Sequence, residues 1–186
     1  MKKKYTLVGI DEAGRGALAG PVVAASVIID ERYLPEEIND SKKVSKKNRE
    51  IFYDIIINNA YTYNVGIVDS EEIDEINIHN ATLNAMKKSY EPIEHNDYKV
   101  YIDGLFKPEI KGILIAIKHG DRLVPIISAA SIIAKVSRDR IMQEIDSKFP
   151  LYNFKQHKGY PTKYHIEMIK KFGVCRYHRK TFKPIA

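Results

Sequence analysis

The chain has little cysteine, no long apolar run and no internal repeat, and these absences limit the classes of protein to which it can belong. Cys175 is the only cysteine among 186 residues, so no intramolecular disulfide can form, as is usual in a reducing compartment. No stretch approaches the roughly 20 apolar residues of a membrane span. The first apolar run follows three lysines but is too short for a secretion signal, because Asp11 and Glu12 interrupt it. We therefore expect a cytoplasmic protein with no membrane partner.

The overall composition is that of an ordinary globular protein. The chain is 44% hydrophobic and 29% charged, and its length predicts a single domain over residues 1–186. Nothing in the sequence requires an oligomer, so we expect a monomer.

The charge is distributed unevenly along the chain. The net charge is +6, but residues 151–186 hold nine Lys and Arg against Glu167 alone, whereas residues 69–94 hold seven acidic residues against two lysines. Aromatic residues are interleaved with the basic ones. This segregation favours a polyanionic partner over a merely solvated surface. Residues from about 150 to 186 are therefore predicted to be a basic substrate-binding segment.

Hydrophobic periodicity predicts alternating strands and helices. The predicted strands are residues 6–10, 21–29, 60–68, 98–102 and 112–117. The predicted helices are residues 46–58, capped by Ser45, a helix beginning at residue 70, a helical stretch over 80–90, and residues 125–148 and 161–172. Interspersed helices and strands indicate an α/β domain with a mixed central sheet flanked by helices, followed by a small C-terminal helical segment.

Acidic residues follow three of the predicted strands. Asp11 and Glu12 come where the first strand is expected to end, and Asp103 and Asp121 follow two later strands. If these strands are neighbours, four carboxylates converge, and their mutual repulsion requires divalent cations with oxygen ligands, such as Mg²⁺ or Mn²⁺. Two such ions would support hydrolysis of a phosphodiester. Asp139 competes with Asp121 as the fourth acid, but we expect it to form ion pairs with neighbouring arginines.

Glycines directly after the first acids predict close backbone approach to a ligand. Gly14, Gly16 and Gly20 allow backbone N–H groups to reach a phosphate. The chain has no Cys/His spacing typical of zinc, and we do not expect His157 or the later histidines to act as the essential base. A metal site beside a phosphate site is the resulting interpretation.

Six motifs in series resemble the ribonuclease HII family, in family order from residue 7 to 182. They are Gly-Ile-Asp-Glu-Ala-Gly-Arg-Gly (9–16) with Ala-Gly-Pro-Val-Val-Ala-Ala (19–25), Asp-Ser-Lys-Lys (40–43), Ile-Asp-Gly (102–104), Ser-Ala-Ala-Ser-Ile-Ile-Ala-Lys (128–135) with Arg-Asp-Arg (138–140), His-Lys-Gly-Tyr-Pro-Thr (157–162) and His-Arg-Lys-Thr-Phe (178–182).

This resemblance implies a ribonuclease H-like fold and a metal-dependent endonuclease. Its substrates would be the RNA strand of RNA–DNA hybrids and single ribonucleotides embedded in duplex DNA, incised on the 5′ side. The products would carry 5′-phosphate and 3′-hydroxyl ends, and the implied roles are ribonucleotide removal and RNA primer removal.

The resemblance also assigns roles to individual residues. The family's four metal-binding carboxylates match Asp11, Glu12, Asp103 and Asp121. Gly14, Arg15 and Gly16 match the element that contacts the ribonucleotide's 2′-hydroxyl, the group that separates RNA from DNA. Tyr160 matches the tyrosine that stacks beneath the sugar of the next, DNA-side nucleotide. Lys42 and Lys43 are candidate phosphate contacts, which position a duplex without reading its bases.

Two alternatives remain open at this point. One is a DNA junction nuclease with the same fold, which the glycine element and Tyr160 disfavour because both are suited to sensing a 2′-hydroxyl. The other is a non-catalytic nucleic-acid-binding module, which would have no use for four acids beside the phosphate path.

Overall fold

The structure is a computed structural model and describes residues 6–40 and 45–185. Lys42 and Lys43 lie outside the described residues. The described part contains five strands: β1 (Leu7–Ala13), β2 (Val22–Ile28), β3 (Thr62–Val68), β4 (Lys99–Asp103) and β5 (Ile113–Ile117). Its α-helices are α1 (Lys46–Asn59), α2 (Ser70–Tyr90), α3 (Pro125–Lys148), α4 (Phe154–His157) and α5 (Lys163–Phe172).

The strands form one mixed sheet in the order β3-β2-β1-β4-β5. The pairs β1–β2 and β2–β3 are antiparallel, whereas β1–β4 and β4–β5 are parallel. Every residue of β2 is buried, as its continuous apolar run predicts for a strand covered on both faces. The predicted α/β class with a mixed sheet is confirmed.

Helices cover both faces of this sheet. One face packs against α1 and α3 and the other against α2. Gly9 allows α3 to lie directly on β1, because a Cβ at this position would overlap the carbonyl group of Ile126. Ala19, Met142 and Phe154 belong to a third, smaller apolar cluster that joins the C-terminal part of the chain to the end of α3.

The first strand extends further than its apolar run predicts. β1 continues through Asp11 and Glu12 to Ala13 because the antiparallel partner β2 pairs with it as far as Ala13–Val23. The expectation that the strand ends at Ile10 is therefore wrong, and both acids lie on the strand itself. Backbone pairing, which is independent of side-chain polarity, decides where this strand ends.

The helix boundaries follow their capping residues. Ser45 caps α1 as predicted, accepting a hydrogen bond from the Asn48 N–H. The two helical stretches expected after residue 70 form one helix, α2, kinked at Asn77, which has a φ of 67°. The last helix begins at Lys163 with Thr162 as its cap, two residues after the expected start at Pro161. None of the helices in the described residues is long and apolar enough to cross a membrane.

Candidate active site

Three carboxylates meet at the end of the β1–β4 pair. Asp11 and Glu12 of β1 and Asp103 of β4 each place an oxygen within 4.8 Å of the other two. Asp11 is buried and the other two are partly buried. Three of the four carboxylates expected to converge are therefore in one cluster, which we call the acidic cluster.

The strand register explains how adjacent residues of β1 share one cluster. Asp11 and Glu12 alternate in direction along the strand, so they start on opposite faces of the sheet. Ile10 and Ile102 form the last parallel pair between β1 and β4, and β4 ends one residue later at Asp103. Beyond that pair no neighbouring strand separates the two faces on this side of β1, and the longer Glu12 side chain reaches the aspartates.

Burial and mutual repulsion make the charged form of these acids unfavourable for the stability of the folded protein. Burial raises the pKa of Asp11 well above its usual range, and the nearby Glu12 and Asp103 raise it further. Burial also raises the pKa of Glu12, although Arg15 opposes the rise. The Glu12 carboxylate accepts a hydrogen bond of 3.3 Å from Arg15 Nη1 through Oε1 only. Its Oε2 is buried and has no hydrogen-bond partner among the described residues.

The donor set of the acidic cluster fits a hard divalent cation. All three residues offer carboxylate oxygens, which are the ligands preferred by Mg²⁺ and Mn²⁺. A cation would neutralise the repulsion among the acids and would give the buried Oε2 of Glu12 the partner that the described residues do not supply.

The fourth predicted acid lies next to the cluster but its carboxylate is not part of it. Asp121 belongs to a 3₁₀ turn, Gly120–Arg122, and its backbone N–H donates to Asp103 Oδ1 at 3.3 Å. The Ser128 hydroxyl holds this turn by donating to the Asp121 carbonyl at 2.8 Å.

The competing acid, Asp139, is buried on α3. It lies eight residues, or about 12 Å of helix, after Ser131, the α3 residue that lowers the pKa of Asp11. Burial lowers the pKa of Lys135 and of Arg138, and the charge of Asp139 opposes this lowering in both. The expected ion pairing of Asp139 with the neighbouring arginines stays a prediction.

The glycine element turns directly out of β1 beside the acidic cluster. Gly14 has a φ of 97°, which favours glycine, and a Cβ there would overlap the Arg138 guanidinium. A Cβ on Gly16 would lie 4.0 Å from the ring of Tyr160, which is 37% exposed. The structure thus brings Gly16 and Tyr160 together and links the element to the acidic cluster through Arg15.

Comparison with known proteins places this arrangement in a family. The ribonuclease HII family model matches residues 8–185. The chain belongs to the ribonuclease HII family. It is accordingly a hydrolase of the endoribonuclease class. A ribonuclease HII from Caldicellulosiruptor bescii is 49% identical over 176 residues, which make up 95% of this chain and 85% of that protein.

Solved ribonucleases of this family share the fold. The ribonuclease H2 of Pyrococcus horikoshii aligns with a TM-score of 0.80 at 27% identity, over 97% of this chain and 95% of that one. The ribonuclease HII of Archaeoglobus fulgidus, solved in a complex with PCNA, aligns with a TM-score of 0.82 at 26% identity, over 96% of this chain and 95% of that one. The ribonuclease H-like fold expected from the motifs is confirmed.

Two features of this ribonuclease HII site were not assigned from the sequence. Ser131, which lowers the pKa of Asp11, is a polar residue within the apolar half of α3, and its polarity at that place is a signal that the sequence carries. The second feature is a groove beside the acidic cluster, where the exposed ring of Phe106 packs edge-on against His79 at 4.5 Å between ring centroids. These two residues are 27 positions apart, so no local pattern predicts their contact.

The histidines that looked available in the sequence are largely used by the fold. His165 and His178 are fully buried, and their Nε2 atoms lie 3.1 Å apart. Nδ1 of His178 accepts from the Cys175 N–H, so its Nε2 carries the proton and donates to His165. The Nδ1–H of His165 then donates to the Tyr160 carbonyl at 3.0 Å. Burial lowers the pKa of both to about 4, which keeps this chain of hydrogen bonds neutral.

Proposed function

We propose that this protein is a metal-dependent endonuclease that hydrolyses the RNA strand of RNA–DNA hybrids and incises DNA duplexes 5′ to single ribonucleotides. The products carry 5′-phosphate and 3′-hydroxyl ends, and the activity serves ribonucleotide removal and RNA primer removal. The observation that carries this proposal is the acidic cluster, in which one Glu12 oxygen has no partner among the described residues. The cluster lies directly beside the turn formed by Gly14, Arg15 and Gly16, which we call the glycine turn.

In this proposal Asp11, Glu12, Asp103 and Asp121 hold Mg²⁺ or Mn²⁺. When bound, a pair of such ions supplies an activated water and stabilises the leaving oxygen of the phosphodiester. The chain's own contribution is a fixed set of oxygen ligands. Ser131 stabilises the Asp11 carboxylate, and Arg15 orients Glu12. Asp121 joins the set from a turn whose backbone already hydrogen-bonds Asp103.

The glycine element is proposed to recognise the ribonucleotide. The N–H groups of Arg15 and Gly16 donate to no acceptor in the described part of the chain, so they are free for a hydroxyl or phosphate oxygen. Tyr160 lies against Gly16 with its ring partly exposed, which is where a sugar following the ribonucleotide can stack. A 2′-hydroxyl on that second sugar would crowd the ring.

Further contacts with the duplex are assigned to basic residues. Lys42, Lys43 and the basic segment over about 150–186 are proposed to bind phosphates, because Lys and Arg side chains supply the sequence-independent part of nucleic-acid affinity. The protein is proposed to act as a single domain and a monomer in the cytoplasm.

The experiment that tests this function uses a labelled DNA duplex with one internal ribonucleotide and an all-DNA duplex of the same sequence. Each is incubated with the protein in Mg²⁺, in Mn²⁺ or in EDTA. We expect one nick on the 5′ side of the ribonucleotide, seen with either metal and absent both in EDTA and in the all-DNA control. End analysis should give a 3′-hydroxyl and a 5′-phosphate.

The other outcomes discriminate between the remaining alternatives. Cutting of both duplexes would assign a DNA nuclease instead. Binding without cutting in every metal tested would leave a non-catalytic binding module.

A further inference from the structure

Two buried arginines hold the backbone that follows the acidic cluster. Arg179 is fully buried, and its guanidinium donates to the carbonyls of Gly14 at 2.8 Å, Arg15 at 2.9 Å and Gly20 at 2.8 and 3.0 Å. These hydrogen bonds join residues more than 150 positions apart in the chain.

The second buried arginine completes the same arrangement. Arg138 of α3 is 1% exposed and donates to the carbonyls of Pro21 at 2.9 Å, Ala19 at 3.1 Å and Lys158 at 2.9 Å. Its guanidinium carbon lies 5.4 Å from the centroid of the Tyr160 ring. Arg138 therefore fixes the backbone at Ala19 and Pro21, which follows the glycine turn, and the segment that carries Tyr160.

Neither guanidinium forms a salt bridge with a carboxylate of the described residues. Burial and the neighbouring Arg138 lower the pKa of Arg179 to about 9, so it remains a cation at neutral pH. The charge of Asp139 acts on Arg138, but the hydrogen bonds described for both buried cations all go to backbone carbonyls. Such an arrangement leaves positive potential directly beneath the turn, which favours an anion on its outer side.

The hydrogen bonds also decide which side of the turn faces outward. The carbonyls of Gly14 and Arg15 point inward to Arg179. The N–H groups of Arg15 and Gly16, by contrast, have no acceptor among the described residues. A turn whose Gly14 and Arg15 carbonyls are held from within can present its N–H groups in one fixed direction.

We propose that Arg179, supported by Arg138, is a positioning residue that sets the protein's discrimination between a ribonucleotide and a deoxyribonucleotide. The proposal rests on the proposed function of the glycine turn. Arg179 acts through the backbone of Gly14 and Arg15 and does not itself contact the substrate. Its loss lets the turn relax, so that the N–H groups no longer converge on one position, while the acidic cluster keeps its ligands.

The test measures duplex binding in Ca²⁺, a probe chosen to measure binding separately from cleavage. Dissociation constants are obtained by fluorescence anisotropy for the single-ribonucleotide duplex and for the matched all-DNA duplex. The readout is the dissociation constant for the all-DNA duplex divided by that for the single-ribonucleotide duplex. This ratio is measured for wild type, Arg179→Gln, Arg179→Lys and Arg176→Gln. Arg176 is exposed on the same segment, so its variant removes the same charge without touching the turn. Calorimetric titration with Mn²⁺ and a thermal melt accompany each variant.

We expect Arg179→Gln to reduce the ratio by about tenfold or more, with Mn²⁺ affinity unchanged. Arg179→Lys keeps the charge but has fewer donors, so its ratio should be intermediate. Arg176→Gln should weaken binding to both duplexes alike and leave the ratio unchanged.

A folded Arg179→Gln variant with the wild-type ratio would overturn the proposal. If neither Arg179 variant folds, Arg179 is required for folding and the positioning role is rejected. A wild-type protein that binds both duplexes equally would instead contradict the proposed function itself, which keeps the two failures distinguishable.

Discussion

The acidic cluster and the pair of buried arginines lie side by side, and they treat buried charge in opposite ways. In the acidic cluster, three carboxylates approach one another within 4.8 Å, and one buried oxygen of Glu12 has no hydrogen-bond partner in the part of the chain that the structure describes. Around Arg138 and Arg179, every hydrogen bond described goes to a backbone carbonyl. One region is electrostatically incomplete, and the other is satisfied by the fold alone.

This difference separates a site that awaits a ligand from a scaffold that shapes it. Buried acids that repel one another take up protons unless a ligand from outside the chain relieves the repulsion. Satisfied buried cations, by contrast, contribute to the fold in the absence of any ligand. Substitutions in the acidic cluster should therefore impair activity without lowering stability, whereas substitutions at the arginines should lower stability.

The largest expected effect is that of Asp11→Asn. Cleavage of the single-ribonucleotide duplex should fall by about 10³-fold or more, because a metal ligand contributes several kcal/mol to transition-state stabilisation. In EDTA, the same variant should melt at a higher temperature than wild type, since the substitution removes repulsion from Glu12 and Asp103. Cleavage rates and thermal melts on one preparation measure both effects. Normal cleavage by this variant would show that the metal-site assignment is wrong.

The next effect is on stability and concerns Arg138→Met, which keeps the length of the side chain but removes its donors. Three carbonyls lose their partners, and unfolding should become about 3 kcal/mol easier. Arg140→Met is the matched control two residues away, because Arg140 pairs with Glu50 at the surface at 2.8 Å. Loss of that pair should cost less than about 1 kcal/mol. If urea denaturation showed that both variants lose the same free energy of unfolding, the distinction between buried and exposed arginines would be wrong.

A third effect is a dependence of stability on pH that arises from the buried histidines. The folded protein lowers the pKa of His165 and His178 from 6.5 to about 4, so the unfolded chain binds more protons in this window. Stability should therefore fall as the pH falls from about 6.5 to 4, by about 2 kcal/mol per histidine between pH 7 and 5.

His178→Asn tests this dependence, because its side-chain oxygen can still accept from the Cys175 N–H but cannot titrate. Urea denaturation at pH 7 and pH 5 should show that the free energy of unfolding falls less for the variant than for wild type. An identical fall would mean that the histidines do not control the pH dependence of stability.

Local sequence patterns predict most of the fold and the identity of the acids. The mixed sheet, the 24-residue helix α3 and the Ser45 cap follow from periodicity and capping chemistry. The acids stand out in the sequence because charged residues directly after a buried apolar run are unusual. Their partner strands β1, β4 and β5 then proved to be neighbours in the sheet.

Long-range contacts are what the sequence does not reveal. Asp121 approaches the cluster through its backbone N–H, because the 3₁₀ turn of residues 120–122 sets its direction and no side-chain pattern reports this. Arg179 appears in sequence as one more basic residue of a charged segment, yet it is fully buried among carbonyls of the glycine turn. Burial of a cation depends on tertiary packing, so composition alone places it on the surface.

The most direct test of the acidic cluster as a metal site is anomalous diffraction from crystals of the protein grown with Mn²⁺. We expect an anomalous peak in contact with carboxylate oxygens of Asp11, Glu12 and Asp103, with Asp121 turned towards it. The same map would show whether Asp139 takes any part. Strong peaks elsewhere, with none among these three carboxylates, would show that the acidic cluster is not the metal site.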